Sequence, residues 1–140
     1  MSGKSLKIYC DGGARGNPGP AAAAFVIIKN SKVIGKGSKF LGNATNNFAE
    51  YQSGILALKW LVDNQHFITN RKVLVVLDSE LVVSQLSGDY KIKSESLRPL
   101  YLAVKNLEKK ISAEISFSWS PRTKNKLADF LVNKELDKNS

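Results

Sequence analysis

The segment from Val73 to Leu77 is an unbroken aliphatic run, Val-Leu-Val-Val-Leu, that ends at Asp78. A continuous run of β-branched and leucine residues is typical of a strand that is covered on both faces of its sheet. We therefore predict a buried strand over residues 71–77. A strand of this kind favours an α/β fold, in which helices cover the faces of a sheet.

The other periodic segments complete the order βββαβααβα. Turn-rich stretches separate three strands at the start of the chain, and the spacing of Tyr51, Ile55, Leu58 and Val62 predicts the first helix. A helical crossover can then return strand 71–77 to lie parallel beside the first strand. The predicted strands are 5–10, 22–29, 32–40, 71–77 and 114–119, and the predicted helices are 46–64, 80–86, 94–111 and 125–136.

Length and composition predict one domain over residues 1–140. The chain is 43% hydrophobic, which suits a sizeable core, and no linker divides it. Its first residues lack the apolar core of a secretory signal, and no apolar segment could span a bilayer. We therefore expect a cytoplasmic monomer without a membrane partner. The single Cys10 and the single His66 exclude an internal disulfide and a Cys/His zinc cluster within one chain.

Four acidic residues lie in apolar surroundings: Asp11, Glu50, Asp78 and Asp129. Asp11 and Asp78 end strands that we predict to be parallel neighbours, roughly 4.8 Å apart, and Glu50 lies on the inward edge of the first helix. Carboxylates gathered in a partly buried cleft repel one another unless a cation compensates, and hard cations such as Mg²⁺ prefer oxygen ligands. The pattern predicts a divalent-metal site, which suggests phosphate chemistry.

The charge balance points to a negatively charged partner. The chain has 21 Lys and Arg against 12 Asp and Glu, a formal net charge of +9 and a pI of about 9.7. Charge alone is equally compatible with a basic surface that only keeps a small domain soluble. Beside the acidic residues, it favours a nucleic acid as the partner.

Four segments resemble the type 1 ribonucleases H, and the resemblance covers nearly the whole chain. The segments are 9–19, 45–51, 77–79 and 125–129. Each is short, but the four occur in the family's order and at suitable spacing. The resemblance implies a ribonuclease H-like fold, a five-stranded mixed sheet flanked by helices.

The resemblance also implies an activity. It would be metal-dependent endonucleolytic cleavage of the RNA strand of an RNA/DNA hybrid, leaving 3′-hydroxyl and 5′-phosphate ends. Two Mg²⁺ ions, with Mn²⁺ as an alternative, would stabilise the attacking and leaving oxygens. Asp11 would be the ligand shared by both ions, and Glu50 and Asp78 would hold the ion near the leaving 3′ oxygen. Asp129 would serve the ion that activates water.

Substrate contacts are implied less directly, and double-stranded RNA is a further candidate substrate. Two glycines would allow close backbone approach to the RNA sugar, and four polar residues would face the hybrid. Turn formation and helix capping are equally good explanations for several of these residues. Recognition through backbone and 2′-hydroxyl contacts would make cleavage largely independent of sequence. The residues are Gly12, Gly13, Asn17, Thr45, Asn46 and Asn47.

Two departures from the family pattern affect these expectations. Many members carry a histidine in the loop before the last helix, whereas this chain has Arg122, as in a subgroup of shorter prokaryotic members. Arginine stays protonated, so it can position a phosphate or stabilise a leaving group but cannot act as a general base. The segment 88–94 is also short where some members insert a basic handle. Lys91, Lys93 and Arg98 would supply the remaining contacts to DNA, or would form only a solvated helix face.

Two other functions remain compatible with the sequence. One is a non-catalytic module that binds RNA/DNA hybrids, against which the retention of all four acidic residues argues. The other is a nuclease or strand-transfer enzyme of the wider ribonuclease H-like superfamily that acts on DNA. The segments around Asp11 and Thr45 favour a hybrid-directed enzyme over the second.

Overall fold

The computed structural model describes residues 6–121 and 125–140, and over them the predicted order of strands and helices is confirmed. A short 3₁₀ helix, Gln65–Phe67, was not predicted. No helix among these residues is long and apolar enough to cross a membrane. The elements are β1 (Leu6–Ala14), β2 (Gly19–Lys29), β3 (Lys32–Ala44), α1 (Asn46–Asp63), β4 (Lys72–Leu77), α2 (Glu80–Leu86), α3 (Arg98–Lys109), β5 (Glu114–Trp119) and α4 (Lys126–Lys138).

The five strands form one mixed sheet in the order β3-β2-β1-β4-β5. The first three strands are an antiparallel meander. The crossover through α1 then places β4 parallel to β1, and β5 lies parallel to β4 at the sheet edge. The predicted α/β fold with a five-stranded mixed sheet is therefore confirmed.

Helices cover both faces of the sheet. On one face, Ile8 of β1 and Ile27 of β2 pack in the larger core with Leu58 of α1. On the other face, alanines of β2 contact Val132 and Leu136 of α4. Alternate residues of a strand point to opposite faces, so the Ala21–Ala24 stretch presents small side chains to α4 and lets this helix approach the sheet closely.

Several elements differ in extent from the sequence prediction. Strand β2 begins at Gly19 rather than at residue 22, and β3 continues to Ala44 rather than ending at residue 40. Strand β1 continues beyond residue 10 to Ala14, because residues 7–14 pair in an antiparallel ladder with β2, whereas its parallel ladder with β4 ends at the pair Tyr9–Val76. Helix α3 begins at Arg98 rather than at residue 94, with Pro99 in its first turn. Proline is favoured at this position because its missing N–H has no partner within a helix.

Gly12 marks the closest approach of β1 to α1. A Cβ atom at this position would lie inside van der Waals contact with the backbone carbonyl of Ala49. Gly54, in the same helix, has open space around the equivalent position. The two glycines therefore differ in whether the fold tolerates a side chain.

We expect Gly12→Ala to lower the free energy of unfolding by about 1–3 kcal/mol, since backbone must shift to admit the methyl group. Gly54→Ala serves as the matched control and should raise it by about 0.5–1 kcal/mol, because alanine is the better helix former. Urea denaturation measures both. A Gly12→Ala protein as stable as the wild type would contradict the close contact between β1 and α1.

Candidate active site

Three of the four predicted acidic residues form a cluster. Asp11, Glu50 and Asp78 each offer a carboxylate oxygen, and these oxygens lie within 4.8 Å of one another. Asp11 and Glu50 are only 1% and 2% exposed. The β1–β4 register pairs Tyr9 with Val76, and continuing it by two residues places Asp11 opposite Asp78. The predicted proximity of these two residues at neighbouring strands is confirmed.

Glu50 reaches the cluster from α1. Helical periodicity turns it toward the sheet, and the backbone N–H of Gly12 donates a hydrogen bond of 2.5 Å to its Oε1 atom. The absence of a side chain at Gly12 brings α1 near enough for this bond. Glycine is thus required at this position for a steric reason, whatever contact it makes with a substrate.

The electrostatic environment of Glu50 disfavours its ionised form. Burial raises the pKa of this carboxyl well above its ordinary value, the charges of Asp78 and Asp11 raise it further, and only the Gly12 N–H opposes them. A bound cation would reverse this balance, because it favours ionised carboxylates. A set of clustered carboxylate oxygens, two of them from deeply buried residues, therefore fits a hard divalent metal ion.

Asp129 lies in the first turn of α4 and is partly buried. It does not belong to the set of described acidic residues whose oxygens lie within 4.8 Å of one another. Asn125, four residues before Asp129, is buried, and its Nδ2 atom donates a hydrogen bond of 2.6 Å to the carbonyl of Cys10. This bond joins the start of α4 to the residue before Asp11. Sequence analysis placed Asn125 at the start of the predicted helix 125–136 and gave its side chain no role.

Three of the predicted substrate-contact residues accept hydrogen bonds from backbone N–H groups. The Oδ1 atom of Asn17 accepts from the N–H of Asn46, and the Oδ1 atom of Asn46 accepts from the N–H of Ala14. Thr45 caps α1 by accepting from the N–H of Phe48. The structural explanation therefore holds for Thr45. Asn46 instead joins α1 to the end of β1.

A cleft of about 470 Å³ brings three of the predicted contact residues together with basic residues. Asn17, Thr45 and Asn47 line it together with Lys91 and Lys93 of the segment that follows α2. Asn46 is not among the lining residues. This arrangement places polar groups and positive charge in one concave surface, as a phosphate backbone requires.

A second cleft, of about 410 Å³, adjoins the first. The two share Gln85 and Lys91, and the second is also lined by Tyr90, Arg98 and Tyr101. At the base of both clefts, Gln85 accepts a hydrogen bond of 2.6 Å from the hydroxyl of Tyr51. Lys91, Lys93 and Arg98 are exposed and line these clefts.

Two further positions complete the description. Trp119, which sequence analysis did not single out, is 45% exposed at the end of β5, and its indole N–H donates to the backbone carbonyl of Asp78 at 3.3 Å. The signal available in the sequence was an aromatic residue at the end of the predicted strand 114–119. Arg122 lies outside the described residues.

Comparison with known proteins relates this architecture to a family. A family model described as reverse transcriptase-like matches residues 9–135. The bifunctional protein Rv2228c of Mycobacterium tuberculosis is 38% identical over 132 residues, which make up 93% of this chain and 35% of that protein. Ribonuclease HI of Halobacterium salinarum is 34% identical over 136 residues, which make up 96% of this chain and 66% of the relative. The chain therefore spans about a third of the length of the first relative and about two thirds of the second.

Solved structures agree with the sequence relatives. LC11 ribonuclease H1, isolated from compost and crystallised with an RNA/DNA hybrid, has a TM-score of 0.90 at 38% identity and covers 96% of this chain and 99% of its own. Ribonuclease H1 of Halobacterium salinarum has a TM-score of 0.86 at 33% identity, with the same coverage. The five-stranded mixed sheet is thus the ribonuclease H-like fold, and the chain belongs to the type 1 ribonuclease H family.

Proposed function

We propose that this protein is an endoribonuclease that hydrolyses the RNA strand of RNA/DNA hybrids and leaves 3′-hydroxyl and 5′-phosphate ends. The observation that carries the proposal is the cluster of Asp11, Glu50 and Asp78 at the sheet, with carboxylate oxygens within 4.8 Å. The chain as a whole carries a formal net charge of +9, which suits a polyanionic substrate. The homologous LC11 enzyme, crystallised with an RNA/DNA hybrid, supports hybrid as the substrate class.

The acidic residues are the proposed metal ligands. Asp11, Glu50 and Asp78 would hold divalent ions, with Mg²⁺ or Mn²⁺ fitting the all-oxygen donor set, and Asp129 is the fourth proposed ligand. Two such ions, when bound, stabilise both the attacking and the leaving oxygen of an in-line displacement. The hydrogen bond from Gly12 restrains the Oε1 atom of Glu50 and so orients this ligand.

The cleft of about 470 Å³ that Asn17, Thr45 and Asn47 line is the proposed substrate surface. Asn17, Thr45 and Asn47 would contact the sugar-phosphate backbone from one side, and Lys91 and Lys93 from the other. Backbone approach at Gly12 and Gly13, and contacts near Asn46, would add to the RNA side of the site. These contacts read the shape and the 2′-hydroxyl groups of the hybrid, so we expect little sequence preference. The same contacts could accept double-stranded RNA.

Arg122 is proposed to supply a permanent positive charge in place of the family's loop histidine. It precedes the helix that carries Asp129 in the sequence. Its planar guanidinium can contact two phosphate oxygens, and it cannot exchange a proton at neutral pH. It would therefore position phosphate or stabilise a leaving group without acting as a base.

The substrate proposal is tested with four labelled duplexes of one sequence: RNA/DNA hybrid, double-stranded RNA, duplex DNA and a hybrid whose RNA strand carries 2′-O-methyl groups. We expect cleavage of the first only or of the first two, with 3′-hydroxyl and 5′-phosphate ends on the products. Binding of hybrid without cleavage in Mg²⁺ or Mn²⁺ would indicate a non-catalytic module. Cleavage of duplex DNA would indicate a DNA-directed nuclease.

We expect Asp11→Asn, Glu50→Gln and Asp78→Asn each to lower kcat at least about 10³-fold, because each removes a ligand charge that the transition state needs. Hybrid binding should persist, since the charge that contacts phosphate is unchanged. Single-turnover cleavage and fluorescence anisotropy measure the two properties. Glu80→Gln, which changes an exposed carboxylate outside the cluster, is the control and should retain full activity. Full activity of any cluster variant would remove that residue from the site.

The raised pKa of Glu50 predicts a pH-dependent stability in metal-free protein. The unfolded chain releases this proton near pH 4.5, the ordinary value, whereas the folded protein releases it at higher pH. Between these values the folded state binds more protons, so this residue lowers stability progressively as pH rises. Glutamine does not titrate, so Glu50→Gln should be more stable than the wild type at neutral pH in EDTA. The advantage should vanish below about pH 4. Equal pH profiles in thermal unfolding would contradict the unfavourable burial of the charge.

Hybrid affinity should depend strongly on salt. Each phosphate neutralised by Lys or Arg releases counterions, so log Kd should rise linearly with log salt, with a slope of about 0.7–0.9 per contact. Lys91→Ala should reduce the slope by about 1, because Lys91 lines both clefts. Lys109→Ala removes an exposed charge outside both clefts and serves as the control. A flat salt response, or equal slopes for wild type and Lys91→Ala, would count against phosphate contacts in these clefts.

A further inference from the structure

Asn125 occupies an unusual position for a residue that begins a helix. It is the N-cap residue of α4, where an asparagine ordinarily accepts a hydrogen bond from an N–H of the first turn, yet its side chain makes no capping bond. Its Nδ2 atom instead donates to the carbonyl of Cys10, 115 residues earlier in the chain, at 2.6 Å. The side chain therefore makes a long-range hydrogen bond to β1 instead of a capping bond within α4.

This arrangement of the Asn125 side chain lowers the stability of the fold. Asn125 is 2% exposed, and its Oδ1 atom is buried without a hydrogen-bond partner among the described residues. An unsatisfied buried acceptor is destabilising, and unsatisfied groups in folded proteins often mark functional sites. Helix stability alone does not explain this arrangement, because a capping side chain would satisfy both the Oδ1 atom and the helix.

The long-range bond joins two elements that carry acidic residues. Cys10 directly precedes Asp11 in β1, and the carbonyl of Asn125 accepts the N–H of Asp129 at 3.1 Å within the first turn of α4. The later turns of α4 are held separately, through packing of Val132 and Leu136 on the sheet. The Asn125 side chain therefore restrains the first turn of α4, while other contacts dock the body of the helix.

We propose that Asn125 is a positioning residue for catalysis, whose amide group sets the place of Asp129 relative to Asp11. The inference rests on the proposed function, because it assigns both carboxylates to the reaction. Misplacing a catalytic group by about 1 Å can lower a rate 10²-fold. The buried bond from Asn125 to Cys10 connects the two segments that carry these carboxylates, since Cys10 adjoins Asp11 and Asn125 lies one helical turn before Asp129. Such a bond is suited to prevent this displacement.

The test uses two substitutions that separate capping from the long-range bond. Asn125→Ala can neither cap α4 nor donate to the carbonyl of Cys10. Asn125→Ser provides a good helix cap, but its side chain is too short to reach that carbonyl. We expect both variants to lower kcat by about 10-fold to 10²-fold, with KM for hybrid and affinity in EDTA changed by less than about twofold. Recovery of kcat in Asn125→Ser would show that helix capping is the relevant property and would overturn the proposal.

A control variant removes another hydrogen bond from an asparagine side chain to a backbone carbonyl, one that lies within a single helix. The Nδ2 atom of Asn64 donates to the carbonyl of Trp60 at 2.7 Å at the other end of α1 from Glu50. Asn64→Ala should lower the melting temperature without changing kcat. If it lowered kcat as much as Asn125→Ala at equal loss of stability, the effect would be a general one of stability and the proposal would fail.

A double substitution identifies the residue through which Asn125 acts. Asp129→Asn should be strongly impaired by itself, and adding Asn125→Ala should lower the residual rate by less than about twofold, because the misplaced group is already absent. Multiplicative losses would overturn the link to Asp129. Wild-type protein without any hybrid cleavage would refute the proposed function and, with it, a catalytic role for Asn125. Wild-type activity with unimpaired Asn125 variants would refute this inference alone.

Discussion

The contact between β1 and α1 at Gly12 determines the geometry of the acidic site. A strand and a helix can approach this closely only where no Cβ atom intervenes, and Gly12 provides that gap against the backbone of Ala49. The same approach lets the Gly12 N–H bind the carboxylate of Glu50. The Glu50 carboxylate therefore lies close to those of Asp11 and Asp78, which the parallel strands place side by side. Without the contact, two of the three carboxylates would still be neighbours, but the third would lie farther from the sheet.

The site combines opposite charges on two length scales. At the scale of a few ångströms, burial raises the pKa of Glu50, and the neighbouring carboxylates of Asp78 and Asp11 raise it further. Over the whole surface, lysines and arginines outnumber acidic residues, so the protein attracts a polyanion at long range. A phosphate backbone would be drawn toward the protein yet repelled by the bare acidic cluster. A divalent cation held by the carboxylates would resolve this conflict, which is a physical reason for a metal requirement in such a site.

Local patterns predicted the positions of the three clustered residues well. Asp78 follows an aliphatic run typical of a buried strand, and the parallel crossover rule placed Asp11 beside it. Helical periodicity turned Glu50 inward. The extent of β1 was harder to predict, because residues 11–14 contain two glycines and resemble a turn. Their strand conformation depends on the antiparallel ladder to β2, and a strand without its neighbour has no such ladder.

The sequence by itself determined the order of elements, the parallel placement of β4 beside β1 and the identity of the acidic residues, because periodicity and residue chemistry are local properties. Only the tertiary structure decided how these pieces are joined. In the folded protein, the Asn125 side chain donates to the carbonyl of Cys10 instead of capping α4. Hydrogen bonds of Asn17, Asn46 and Ala14 join the end of β1 and the loop after it to the start of α1. The tertiary structure also decided the pKa of Glu50, which depends on burial and on charges from two strands. Short polar side chains such as asparagine can satisfy several local bonds equally well, so their partners are chosen by whichever backbone groups the packed fold brings within reach.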